Sequence, residues 1–199
     1  MIIKKYPLLS LLILAVIGGG IWYRQLIISV AKPVVVAATT SNDATPSTDP
    51  VPDNTFVYPT LGITTPLTVL TNTDPFDSTD WNAFTDALNK GVGVSTTAST
   101  VDEAHTLYIV GHSSTVRQTQ YSFVFAGLGQ ANADDTFSFA ANGKTYTYKV
   151  VDKKVLNPTD VDAFLALETP TDAPKQAILV TCWPVFTTKN RMVVVGELQ

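Results

Sequence analysis

A mainly β domain, a barrel or a sandwich, is predicted over residues 55–199. Three observations predict it: many short runs of β-branched and aromatic residues, few helical patterns between them, and an Asn-Gly turn between two alternating runs. In Phe137-Ser138-Phe139 and Thr145-Tyr146-Thr147-Tyr148, apolar and polar residues alternate on either side of Asn142-Gly143. Alternation of period two fits a half-buried strand, and Asn-Gly favours a tight hairpin.

The chain opens with a different character. Lys4-Lys5 precedes an apolar run from Pro7 to Tyr23. As a helix that run spans about 25 Å at ~1.5 Å per residue. Residues 1–32 are therefore expected to anchor the chain in a membrane, with Trp22, Tyr23 and Arg24 at an interface. A cleaved signal peptide is the alternative, with Val36-Ala37-Ala38 suited to cleavage. Residues 33–54 are rich in Pro, Ser, Thr and Asp without apolar periodicity, and read as a flexible linker.

Within the domain, Phe56-Val57-Tyr58, Leu61-Gly62-Ile63 and Leu67-Thr68-Val69-Leu70 are expected as short strands. Asp77 to Asp80 offer helix caps; Trp81, Phe84 and Leu88 follow at helical spacing, and Gly91 stops the helix. Thr96 to Thr100 reads as a polar loop and Thr106 to Val110 as a strand. Phe123 to Leu128 fits a helical turn or a strand. Asn157-Pro158 starts a short helix with Val161, Phe164 and Leu165 facing inward, and Pro170 and Pro174 follow it.

Net charge is −4. From Pro33 onward there are 9 basic and 17 acidic residues. No basic face is present, so a nucleic-acid partner is not expected. A single cysteine, Cys182, excludes an internal disulfide.

That cysteine ends the β run Ala177 to Thr181. A loop containing Pro184 leads to Arg191 and a second β run, Met192 to Val195. Two strands joined by a short loop are most simply antiparallel, which places Cys182 and Arg191 at the same end of one sheet. A fixed cation beside a thiol favours the thiolate. A cysteine nucleophile also needs a base or imidazolium partner. His112 ends the strand-like run Leu107 to Gly111, whereas His105 precedes it and reads as a surface or structural residue. Gly111-His112-Ser113-Ser114-Thr115 is not a Gly-x-Ser-x-Gly elbow, so a serine hydrolase is not supported. Taken singly, each residue has an ordinary reading: a small buried hydrophobe, a loop histidine, a surface charge.

Together and in this order they resemble the sortases, cysteine transpeptidases of the bacterial cell surface. The motifs are Ile-Val-Gly-His at 109–112, Leu-Val-Thr-Cys at 179–182, and Arg191 before Val-Val-Val-Gly-Glu-Leu. Ile178 stands where the family usually has Thr, and Val185-Phe186-Thr187 departs from its Pro-x-Gly-Thr. Weaker similarity lies in Tyr58 to Ile63 and Ala87 to Gly93, so that the resemblance covers about residues 55–199. It implies an eight-stranded β-barrel with a few short helices behind the N-terminal anchor, on the outer side of the cell membrane.

The resemblance implies His112, Cys182 and Arg191 as catalytic residues, with Thr181 and Trp183 as substrate-binding residues. Trp183 reads equally as packing at the strand end. The implied substrate is a Leu-Pro-x-Thr-Gly-like sorting signal, cleaved after Thr through a thioester. The implied acceptor is an amine from a peptidoglycan precursor or a pilin lysine. No cofactor is implied, although some members hold Ca²⁺ near the position of Asp102-Glu103. A cysteine protease or amidase using water, and a non-catalytic anchored β-domain, are the competing readings.

Overall fold

The computed structural model describes residues 50–74, 81–115, 119–161, 164 and 174–199. Eight strands close into a barrel: β1 (Thr55–Tyr58), β2 (Ile63–Thr71), β3 (Val92–Thr96), β4 (Thr106–Val110), β5 (Thr136–Ala141), β6 (Lys144–Leu156), β7 (Gln176–Trp183) and β8 (Asn190–Leu198). Their order around the barrel is β1-β2-β3-β4-β7-β8-β6-β5, and β5 pairs with β1 to complete the ring. Most neighbours are antiparallel. The exceptions are β2 with β3 and β4 with β7, which run parallel.

The Asn-Gly hairpin forms as expected. Asn142 and Gly143 have φ of 55° and 72° between β5 and β6, the left-handed pair a two-residue turn needs. Helix α1 (Trp81–Lys90) also forms as expected; it buries Phe84, Ala87 and Leu88 and joins β2 to β3. The expected caps at 77–80 lie outside the described residues, as do the anchor at 1–32 and most of the linker. Among the described residues no helix is long and apolar enough to cross a membrane.

Two local expectations differ from the structure, and a third is met in its described residues. Pro59–Leu61 is a 3-10 turn, and β2 starts only at Ile63, because Gly62 at φ 65° closes the turn with a hydrogen bond to the Pro59 carbonyl. Strand β3 was not expected. Its sequence, Val92-Gly93-Val94-Ser95-Thr96, lacks an apolar-polar alternation because every residue is buried, as befits a strand covered by α1. The helix expected after Asn157 begins as a 3-10 turn, Pro158–Asp160, followed by buried Val161 and Phe164. Leu165 lies outside the described residues.

Two apolar clusters use the two sides of the sheet. The inner one fills the barrel with rings: Phe56 meets Phe125 edge-on at 5.6 Å, and Phe137 stacks on Tyr148 at 5.5 Å. The outer one comprises Ile178, Val180, Val193 and Val195, covered by Val161 and Phe164 and flanked by Tyr108, Val110 and Leu156.

Gly91 shows how closely α1 is drawn to the sheet. A Cβ there would lie 2.0 Å from the Pro66 carbonyl oxygen, which is backbone and cannot swing aside. Gly91→Ala is expected to lower stability by about 1–3 kcal/mol, the usual range for forced overpacking, measurable as a shift of the urea midpoint.

Candidate active site

Three neighbouring strands, β4, β7 and β8, bring the site residues to one end of the barrel. In the β7–β8 pair, Cys182 lies directly opposite Arg191. Opposed residues project from the same face with Cβ atoms about 4.5–5.5 Å apart. Strand β4 runs parallel on the other side of β7, with Val110 in register with Val180. Beyond the last registered pair, Gly111 N–H donates to the Val180 carbonyl at 3.3 Å. His112 thus leaves β4 beside Cys182.

Alternation decides which face each residue occupies. Ile178 and Val180 belong to the outer cluster, so Cys182 continues their row. Val195 and Val193 lead in the same way to Arg191, and Tyr108 and Val110 lead toward His112. Three rows that are apolar over most of their length end in a histidine, a thiol and a guanidinium.

Thr181 and Trp183 fall on the face opposite Cys182, and for Trp183 this agrees with the reading as packing at the strand end. Thr181 shares the inner row with Ala177 and Leu179. Its buried hydroxyl donates to the Gly111 carbonyl at 2.7 Å. Trp183 packs against the inner cluster and over Gly129, where an added Cβ would lie 2.6 Å from the indole ring. Both residues support the site from behind. Period-two alternation starting at Cys182 carries this information in the sequence; the motif alone does not reveal the face.

Sequence reasoning also passed over the residues that hold the loop after His112. Phe125 N–H donates to the His112 carbonyl at 2.9 Å, and the Phe125 ring is fully buried in the barrel. Gly111 allows this approach, since a Cβ there would meet the ring at 2.7 Å. Farther along, the Lys153 ammonium donates to the Gly129 carbonyl at 2.9 Å and the Ala131 carbonyl at 2.7 Å. It fastens to β6 the turn on which Trp183 rests. The signal for Lys153 was a lysine in a strand, which by itself reads as a solvated charge.

Arg191 is held by its own loop. Its Nη1 donates to the Thr188 and Asn190 carbonyls, both at 3.1 Å. No carboxylate pairs with it among the described residues. His112 is half-buried, and loss of solvent holds its imidazole below the ordinary value of 6.5. His105 sits at the far end of β4, where its carbonyl accepts from Gln176 N–H at 2.9 Å.

The Asp102-Glu103 pair does not fit a calcium site well. Asp102 accepts from Lys144 at 2.5 Å and from the Tyr146 hydroxyl at 2.9 Å, and its backbone carbonyl accepts from Lys175. The Lys144 bond, then the Tyr146 bond, holds the carboxyl below the usual range. A cation there would have to displace an ammonium already in place.

A half-buried thiol opposite an arginine, with an imidazole on the adjoining strand, is the set of groups that cysteine acyl transfer requires. Comparison with known proteins agrees. The model of the Sortase domain matches residues 59–199. Among solved structures, sortase C-1 from Actinomyces oris superposes with a TM-score of 0.55 at 22% identity, covering 73% of this chain and 72% of that one. Sortase C1 from Streptococcus suis gives 0.55 at 20% identity, covering 74% and 72%. A lid mutant of sortase A from Corynebacterium diphtheriae gives 0.55 at 22%, covering 77% and 74%. No curated protein sequence matches significantly. The chain belongs to the sortase family, whose members are cysteine transpeptidases.

The depressed His112 value has a definite sign. A folded value below the unfolded one means that the unfolded chain binds the proton more readily. This contribution to stability is therefore complete above about pH 6.5 and is lost as pH falls below it. A proton NMR titration is expected to place the His112 ring midpoint below 6.5. The fall in stability on acidification is expected to be shallower in His112→Gln.

Proposed function

We propose that this chain is a membrane-anchored sortase-type transpeptidase. It cleaves a Leu-Pro-x-Thr-Gly-like sorting signal after Thr and transfers the acyl group to an amine. The observation that carries the reading is the convergence of His112, Cys182 and Arg191 at the ends of three adjacent rows on the outer barrel face. In this reading residues 1–32 anchor the enzyme at the cell membrane, 33–54 give it reach, and 55–199 do the chemistry outside the cell.

The Cys182 thiolate attacks the threonine carbonyl carbon. Negative charge develops on the carbonyl oxygen, and Arg191 stabilises it; the guanidinium needs little reorganisation because two backbone carbonyls already position it. His112 gives a proton to the departing glycine amine, the C–N bond breaks, and a thioester remains. An incoming amine then attacks the thioester carbonyl. His112 takes the amine's proton, the C–S bond breaks and the thiolate is restored. Burial lowers the basicity of His112, which favours giving its proton up to the departing amine. No step calls for a metal or an organic cofactor. The amine is supplied by a cell-wall precursor or by a lysine of another surface protein.

The test is intact-mass spectrometry of the full-length chain in mild detergent with a Leu-Pro-x-Thr-Gly peptide library. The expected result is a mass gain matching the peptide truncated after Thr, discharged by hydroxylamine and absent in Cys182→Ala. Arg191→Ala and His112→Ala are expected to reduce the rate of adduct formation by about 10²–10³-fold. Full activity in any of these three variants would remove that residue from the mechanism.

A further inference from the structure

The loop after β4 and the loop between β7 and β8 meet through two aromatic rings that belong to neither apolar cluster. Phe123 is 37% exposed and Phe186 is 69% exposed, and their rings meet edge-on at 5.7 Å. An isolated exposed apolar side chain is ordinary, but a pair placed beside a reactive centre calls for a reason. Phe186 also has φ 69°, in the left-handed region that bulky residues avoid. Its N–H donates to the Ser114 hydroxyl at 2.9 Å, and the turn beneath it is closed by Thr187 bonding twice to the Pro184 carbonyl. The backbone therefore accepts an unfavourable conformation that keeps this ring at the surface.

The pair occupies a particular side of the site. Ser114 lies two residues past His112, and Phe186 lies on the loop that joins Cys182 to Arg191. The apolar rows of β7 and β8 on the other side of Cys182 are already covered by Val161 and Phe164. The open apolar surface is thus on the histidine side, where the amine proton is handled. Charge agrees with this. The described residues of the segments 111–131 and 183–191 include Lys189 and Arg191 and no Asp or Glu. Such surroundings disfavour an ammonium ion and favour the neutral amine that must attack.

We propose that Phe123 and Phe186 form the acceptor-binding surface of the enzyme, a lip that takes the apolar side chain next to the incoming amine. The enzyme then selects an amine carried by an amino acid with an apolar side chain over one carried by glycine. This rests on the transpeptidase reading above. The attacking nitrogen forms its bond to the thioester carbon, the C–S bond breaks, and the nitrogen's proton passes to His112; the lip alters only how long the acceptor stays in place.

The experiment uses the full-length chain, an excess of sorting peptide, and glycinamide or leucinamide as acceptor at equal sub-saturating concentration. Thioester formation without acceptor is measured for each variant as its reference. Wild type is expected to favour leucinamide by about 10-fold, the discrimination available to one apolar contact. Phe186→Ala and the Phe123→Ala/Phe186→Ala pair are expected to bring that ratio close to one, and Phe186→Tyr to keep it. An unchanged ratio in Phe186→Ala overturns the inference, as does an equal loss with both acceptors that tracks the loss of thioester formation. A wild type with no preference overturns it too. A wild type that forms no thioester at all overturns the transpeptidase reading, and this inference with it.

Discussion

Side chains along a strand alternate between faces, and hydrogen-bonded strands hold those faces in register. Most of this molecule's chemistry depends on that constraint. Strands β4, β7 and β8 present three rows to the outer face, each apolar in the stretch that leads to its candidate residue. The apolar stretch is covered by Val161 and Phe164, which leaves the terminal residues at the edge of a dry surface. A charge beside low-dielectric packing acts more strongly than one in open water. A one-residue slip between β7 and β8 would turn the thiol to the inside and leave Arg191 alone outside.

The inner face makes that register hard to lose. Thr181 and Gly111 bond across the strand ends, and an unsatisfied buried carbonyl there would cost about 1–3 kcal/mol. Trp183 lies on Gly129, whose carbonyl is held by Lys153, and Phe125 carries the loop after His112 into the aromatic core. The candidate positions Cys182 and His112 are therefore backed by inward contacts of the residues beside them. The residues touching the reaction are few, but their placement draws on the whole barrel.

The site was legible in the sequence to the extent that it depends on local order. Cys182 and Arg191 flank one hairpin loop, and the end of a β run marks His112. The adjacency of β4 and β7 was not legible from the residues alone, because a parallel pair separated by about 65 residues leaves no short-range trace. Strand β3 escaped for a related reason: buried on both sides, it shows no alternation, and Gly93 weakens its strand character. Thr181 and Trp183 sat inside the motif and so looked like site residues, whereas alternation turns both inward. Lys153 reads alone as a solvated charge and Phe125 as part of a short turn or strand, and neither reading points to Cys182.

The most direct measurement is a crystal structure of the chain carrying a Leu-Pro-x-Thr peptide analogue covalently joined to Cys182. The account predicts that the carbonyl oxygen of the bound threonine lies within hydrogen-bonding distance of the Arg191 guanidinium, while Nη1 keeps its bonds to the Thr188 and Asn190 carbonyls. The His112 ring should stand on the side from which an amine approaches. A carbonyl oxygen turned away from Arg191, or a peptide seated on the inner face beside Trp183, would contradict it.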